Sequence, residues 1–284
     1  MSQDFVTRFR DLARRRSPLC LGLDPSAELL AAWGLPLGAD GVRRFCERVL
    51  EAAGERVAVM KPQSAFFERW GPEGMAALRE VVAAIRGRGS LALIDGKRND
   101  IGHTLAAYGE AMLGADSGFG GDAMTVSAYF GFGSLKPVLD RAVATGCAVF
   151  VMVRSSNPEG QALQDARLAD GRSVADAIAD DITAFNAALG APVGPIGAVT
   201  GATLDATAAG TLARLPSSLL LAPGIGAQGA TFESMRRSFG DATRRAMPAI
   251  SRAILARGPT IAGLREAIDA ACAAASRMAE DTPR

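Results

Sequence analysis

The sequence predicts an α/β fold, a single (β/α)8 TIM barrel over residues 1–284, with the barrel proper at about 18–278 and an extra N-terminal helix. Three observations predict it. Short apolar runs recur eight times, separated by amphipathic, alanine-rich stretches. The runs do not alternate with polar residues, which marks strands buried on both faces, as in a parallel sheet. Eight such strand–helix units in about 250 residues fit a closed barrel better than a doubly wound sheet. No charge run or Gly/Ser linker marks a second domain.

The opening segment, Asp4 to Arg16, spaces Phe5, Phe9 and Leu12 at helical intervals. Its arginines suggest a nucleic-acid arm, but Asp4 and Asp11 dilute the charge, so a surface helix closing one end of the fold is the better reading. Strands follow near 19–24, 56–61, 91–95, 122–127, 147–153, 194–199, 217–222 and 246–251. Helical patterns lie near 41–54, 72–88, 101–114, 134–145, 172–189, 203–214, 229–238 and 260–278. Residues 154–172 break the rhythm: they are polar, contain Asn157-Pro158-Glu159-Gly160, and make a connection long enough to serve as a lid. The tail at 279–284 is expected to be flexible.

Composition narrows the function classes. With 49% hydrophobic and 21% charged residues and a net charge of +1, the chain has no bulk attraction for nucleic acid or an anionic membrane. Any anion must be recognised by locally placed charge. Four dispersed cysteines, no C-x-x-C pair and a single histidine, His103, argue against a zinc site or a disulfide framework, and for a reducing compartment. The N-terminus lacks the apolar stretch of a signal peptide, and the longest apolar runs, such as Cys147 to Val153, are too short to span a bilayer. A cytoplasmic protein without a membrane partner is expected.

Chemistry concentrates where strands end. Leu91-Ala92-Leu93-Ile94 runs straight into Asp95, Lys97 and Asp100. Residues i and i+2 of a strand share a face, so Asp95 and Lys97 should point the same way. Lys61 closes the second strand and Asp24 the first. The C-terminal end of barrel strands is where this fold carries its active site. Taken singly, each residue reads as a rim charge in a screened ion pair; three successive strands ending in charge favour a site. Alternating ammonium and carboxylate groups hold each other ionised and suit a reaction that builds negative charge on carbon, which Lys97 can stabilise and then protonate.

A second constellation lies late in the chain. Gly224-x-Gly226-x-x-Gly229 satisfies the dinucleotide fingerprint, but it sits far from an early βαβ unit, and the region near Met247 to Ile250 has no acid. A glycine turn after the seventh strand, followed by Ser251-Arg252 after the eighth, instead matches the usual phosphate site of the barrel. Backbone N–H groups at the helix start would cradle the anion, with Arg252 as a two-pronged donor. Arg154-Ser155-Ser156-Asn157 adds donors after the fifth strand, and reads equally well as a polar capping loop.

Asp95-x-Lys97-x-x-Asp100-Ile101, with Asp24 and Lys61 upstream and Pro223-Gly-Ile-Gly-Ala-Gln228-Gly plus Arg252 downstream, resembles the orotidine 5′-phosphate decarboxylase family. Met60-Lys61-Pro62-Gln63 and Arg154-Ser155-Ser156-Asn157-Pro158 look like its longer, mycobacterial-type (type 2) branch. The likeness runs from about Leu21 to Ile254, and its D-x-K-x-x-D core is shared with sugar-phosphate decarboxylases of the same superfamily. The resemblance implies cofactor-free conversion of orotidine 5′-monophosphate to uridine 5′-monophosphate and CO₂, the last step of de novo UMP synthesis. It implies that Lys97 protonates C6, Asp95 faces the substrate carboxylate, Lys61 completes the charge array and contacts the ribose, and Asp24 and Thr104 also contact the ribose. Ser156, with Ser155 as an adjacent competitor, would bind the pyrimidine, and Gln228 would bridge base and phosphate. Pro223 would line the pocket, while Arg252 and backbone near Gly226 hold the phosphate. It further implies a homodimer in which Asp100 and Ile101 serve the partner's site. His103 is given no role beyond a surface or interface position.

Two other readings are open to the same residues. A metal-dependent sugar-phosphate decarboxylase or aldolase would share Asp95, Lys97 and Asp100 but should carry a magnesium-binding acid where this chain has Lys61. A non-catalytic barrel sensing a nucleotide monophosphate would have no need to keep Lys97 beside Asp95.

Overall fold

Along each strand side chains alternate between two core clusters, and that period of two decides which of them reach the barrel mouth. The computed structural model describes residues 3–203 and 209–280. Its strands are β1 (Cys20–Leu23), β2 (Val59–Pro62), β3 (Leu91–Arg98), β4 (Ala123–Val126), β5 (Ala148–Arg154), β6 (Ile196–Thr200), β7 (Leu220–Pro223) and β8 (Ala246–Ile250). All neighbours pair in parallel, and β8 returns to β1, closing the barrel in chain order. The eight strands lie where the apolar runs predicted them.

The core separates into two clusters. Val59, Leu93, Ala123, Phe150 and Met247 point into the barrel. Their neighbours Met60, Ile94, Met124, Val149 and Val151 point outward, against the helical layer. Continuing the inward series by two residues gives Lys61, Asp95 and Thr125 on three adjacent strands at one end. The opposite end is closed by the N-terminal helix Phe5–Arg15, whose Phe5, Phe9 and Leu12 join the interior cluster. Phe5 stands edge-on to Phe150 with ring centroids 5.9 Å apart, and burying such a ring contributes on the order of 2–3 kcal/mol. Asp4 caps this helix, accepting the Thr7 N–H at 2.8 Å. Its charge is spent on structure: Arg8 pairs with the buried Asp122 at 2.8 Å.

The differences from the sequence reading are local. Short helices at Ala27–Ala32, Ala65–Glu68, Gln161–Gln164 and Arg252–Leu255 were not expected. The helix expected at 229–238 begins only at Phe232, because Gly229 and Ala230 complete the preceding turn and Thr231 then caps it with Ser234. Of the helix expected at 203–214, Ala209–Ala213 is helical, and 204–208 lie outside the described residues. The final helix runs through Glu280, so 279 and 280 are not loose ends, and the rest of the expected tail lies outside the described residues. Among the described residues, no helix is long and apolar enough to cross a membrane.

Candidate active site

Lys61, Asp95 and Lys97 form one array. Lys61 Nζ lies 2.7 Å from Asp95 Oδ2, and Lys97 Nζ lies 2.7 Å from Oδ1 of the same carboxylate. Thr125 Oγ1 donates to Oδ1 at 2.8 Å and Gln63 Nε2 to Oδ2 at 3.1 Å, so four donors surround Asp95. Burial alone would raise the pKa of this carboxyl, but the charges of Lys61 and Lys97 outweigh it and hold the group well below the ordinary range. Burial would likewise discharge Lys61, and Asp95 and Asp24 overcome that, keeping its ammonium more firmly protonated than a free lysine. The side chain of Lys97 is 45% exposed, against 10% for Lys61, so Lys97 is the array's open face.

Lys97 reaches Asp95 by a route that alternation does not describe. The β3–β4 register shifts between Ile94 and Arg98, and Lys97 takes a positive φ of 44°, alone among the described non-glycine residues. A bulge, not a flat i, i+2 pair, folds its side chain back over Asp95. Arg98, next along, is pinned outward by an ion pair with Glu68 and by the Tyr108 ring, 5.3 Å from its guanidinium carbon.

The phosphate-end residues line a cleft beside this array. Asp24, Lys61, Pro223, Gln228 and Arg252 all face it, and Lys61 links the two halves. Asp24 Oδ2 accepts from Ser251 Oγ, while Oδ1 is buried with no hydrogen-bond partner among the described residues. Gly22 makes that contact possible, since a Cβ there would stand 2.6 Å from the Ser251 Cβ. Gly224, Gly226 and Gly229 have φ of 117°, 80° and 91°, so the glycine spacing reflects a tight turn and not a dinucleotide fingerprint. Gly226 itself is not in the cleft lining, and its N–H is used inside the turn, donating to Ala230 O at 2.8 Å. The helix start that borders the cleft is the short one at Arg252, not the one after β7. Arg252 is exposed, and its guanidinium pairs with no carboxylate among the described residues.

The polar loop after β5 holds its two serines differently. Gln164 clamps Ser155 from both sides: its Oε1 accepts the Ser155 N–H at 3.0 Å, and its Nε2 donates to Ser155 Oγ at 2.8 Å. Ser156 is outside this clamp and packs against Gly201, where a Cβ would come within 3.1 Å of its backbone. Arg154, buried at the strand end, pairs with Asp165 at 2.7 Å and ties the loop down.

Asp100, Ile101, His103 and Thr104 are not among the residues that line the cleft beside the array. They precede or begin the helix Gly102–Met112; Asp100 is half-buried and the other three are exposed, Ile101 at 61%. The Asp100 carboxylate accepts the adjacent Ile101 N–H at 2.8 Å and does not reach Lys97. Sequence reasoning assigned no role to Thr125, Gln63 or Gln164, and named Ser251 only beside Arg252 at the phosphate end. For Thr125 a signal existed, since it is the inward position two beyond Ala123.

Comparison with known proteins decides the family. A profile of the orotidine 5′-phosphate decarboxylase / HUMPS family matches residues 17–267. The orotidine 5′-phosphate decarboxylase of Myxococcus xanthus is 51% identical over 268 residues, 94% of this chain and 93% of its own. The chain belongs to the orotidine 5′-phosphate decarboxylase family. The Streptomyces coelicolor member is 47% identical over 267 residues, 94% of this chain and 95% of its own. A crystal structure from Streptomyces avermitilis, described as a decarboxylase of this family, matches at TM-score 0.93 and 45% identity, covering 98% of this chain and 97% of that one. The activity of the family is decarboxylation of orotidine 5′-phosphate to uridine 5′-phosphate and CO₂. Neither other reading gains support from these relatives, and β2 carries the Lys61 ammonium where the sugar-phosphate reading expects a magnesium-binding acid.

Proposed function

We propose that this chain decarboxylates orotidine 5′-monophosphate with Lys97 as the proton donor, and that the Lys61–Asp95–Lys97 array is the observation that carries the assignment. Breaking the C6–carboxylate bond releases CO₂ and leaves its electron pair on C6. The Lys97 ammonium stabilises that charge and then gives C6 its proton, and water restores the ammonium. Asp95, kept ionised by its four donors, would oppose the substrate carboxylate in the ground state and not the product. Because hydrogen bonds within the protein hold the array, little reorganisation is left for the chemical step.

The phosphate end supplies binding energy away from C6. Arg252 and the backbone of the Gly224–Gly229 turn would hold the phosphate, Gln228 would bridge phosphate and base, and Pro223 would line the pocket. Asp24, with one buried oxygen unpartnered, would accept from ribose hydroxyls. Ser156 is the pyrimidine contact, since Ser155 is engaged by Gln164. The position of Asp100 supports a shared site. Ile101 at 61%, Tyr129 at 70% and Phe130 at 55% expose apolar surface on the adjoining loops after β3 and β4, the kind of surface a second copy would cover. In such a homodimer Asp100, Ile101 and Thr104 would enter the partner's site. The chain would act in the cytoplasm.

The test is direct. Purified protein in excess EDTA should remove the absorbance of orotidine 5′-monophosphate; absence of turnover would overturn the assignment. Arg252→Ala should raise KM about 10²-fold, the scale of a lost charge-assisted contact, with a much smaller change in kcat. An unchanged KM in steady-state kinetics would move the phosphate elsewhere.

A further inference from the structure

We propose that Thr125 is a positioning residue of the reaction, holding the Lys97 ammonium and the Asp95 carboxylate against each other. Its hydroxyl makes two bonds: it accepts the Lys97 backbone N–H at 2.9 Å and donates to Asp95 Oδ1 at 2.8 Å. Lys97 Nζ meets that same Oδ1 at 2.7 Å. The contacts close a ring from the Lys97 backbone through Thr125 and Asp95 to the tip of the Lys97 side chain. Thr125 is 1% exposed and its hydroxyl is engaged by Lys97 and Asp95, so it acts through these neighbours.

The ring has a physical task. Where β3 and β4 slip out of register between Ile94 and Arg98, the ladder no longer holds this stretch. The Thr125 hydroxyl stands in for a ladder carbonyl and takes the Lys97 N–H. It thereby holds a lysine at φ 44°, a conformation that side-chain-bearing residues rarely adopt and that persists only when its surroundings impose it. The inward period of two places Thr125 beside Asp95 on the neighbouring strand, so one side chain fixes the backbone of the proton donor and the orientation of its counter-ion. This inference rests on Lys97 being the proton donor.

Valine has the shape of threonine without the hydroxyl, and serine keeps the hydroxyl without the methyl, so volume and hydrogen bonding separate. Thr125→Val should lower kcat about 10- to 100-fold, the scale of a sub-ångström to ångström misplacement, with KM for orotidine 5′-monophosphate within about three-fold of wild type. Thr125→Ser should return kcat to within about five-fold of wild type, because the hydroxyl stays and only a methyl is lost. Activity would then follow the hydroxyl and not the volume of the side chain. Thr125→Val with kcat within about two-fold of wild type would overturn the proposal, as would Thr125→Ser no more active than Thr125→Val. Should the valine chain not fold, Thr125→Ala replaces it in the same comparison with serine. Wild-type turnover and an inactive Lys97→Ala chain are the controls: failure of either overturns the underlying assignment, and failure of the serine rescue overturns only the role of Thr125.

Discussion

Lys97→Ala is expected to lower kcat at least about 10⁴-fold while leaving the affinity for uridine 5′-monophosphate within about ten-fold of wild type. Two losses combine in kcat. A positioned general acid contributes about 10²–10⁴-fold, and a preorganised charge at the atom where an anion forms contributes about 10²–10³-fold. Both act at C6 and neither acts on the phosphate or ribose, so product binding is nearly spared. The substitution should also be tolerated by the fold, because the Lys97 side chain is 45% exposed and the contact holding its backbone comes from Thr125 to its N–H. Asp95 would keep Lys61, Thr125 and Gln63 as donors. Single-turnover kinetics and titration calorimetry with uridine 5′-monophosphate measure the two quantities separately. A kcat within about 10²-fold of wild type would mean that the C6 proton comes from another group.

What the sequence showed of this site depended on whether position alone set the geometry. Lys61 and Asp95 were legible because each ends an uninterrupted apolar strand, and inward alternation from Val59 and Leu93 carries them to the mouth. Lys97 was found for an incomplete reason. The i, i+2 rule paired it with Asp95, yet the strand is bulged there, and the pairing depends on a positive φ that no residue type other than glycine announces. Thr125 went unnoticed because threonine is an ordinary strand former, and only its neighbour's register shift gives its hydroxyl a task. The short helices, such as Arg252–Leu255, carry too few residues to show a period of 3.6, so the element that borders the phosphate end has no signature in the sequence. Ser155 and Ser156 are equivalent as letters; a glutamine eight or nine positions downstream separates them.

Mixing Lys97→Ala and Asp100→Ala chains, each nearly inactive alone, should restore activity to about a quarter of the wild-type value per site, as the arithmetic of an isologous dimer requires. Random exchange makes about half of the dimers mixed, and each mixed dimer has one site with both residues intact and one with neither. The structure supplies the reason to expect this. Within one chain the Asp100 carboxylate accepts the Ile101 N–H and stays off the Lys97 ammonium, although only three residues separate them. Between them Arg98 is fastened to Glu68, and Ile101 is exposed. If Asp100 completed its own chain's array, every site of a mixed dimer would lack one member and no activity would return. Subunits shown to exchange by labelled mass spectrometry, yet recovering no turnover, would place Asp100 in its own chain. Recovery that rises with the mixed-dimer fraction and then levels near a quarter would place Lys97 and Asp100 in the same catalytic site from different chains.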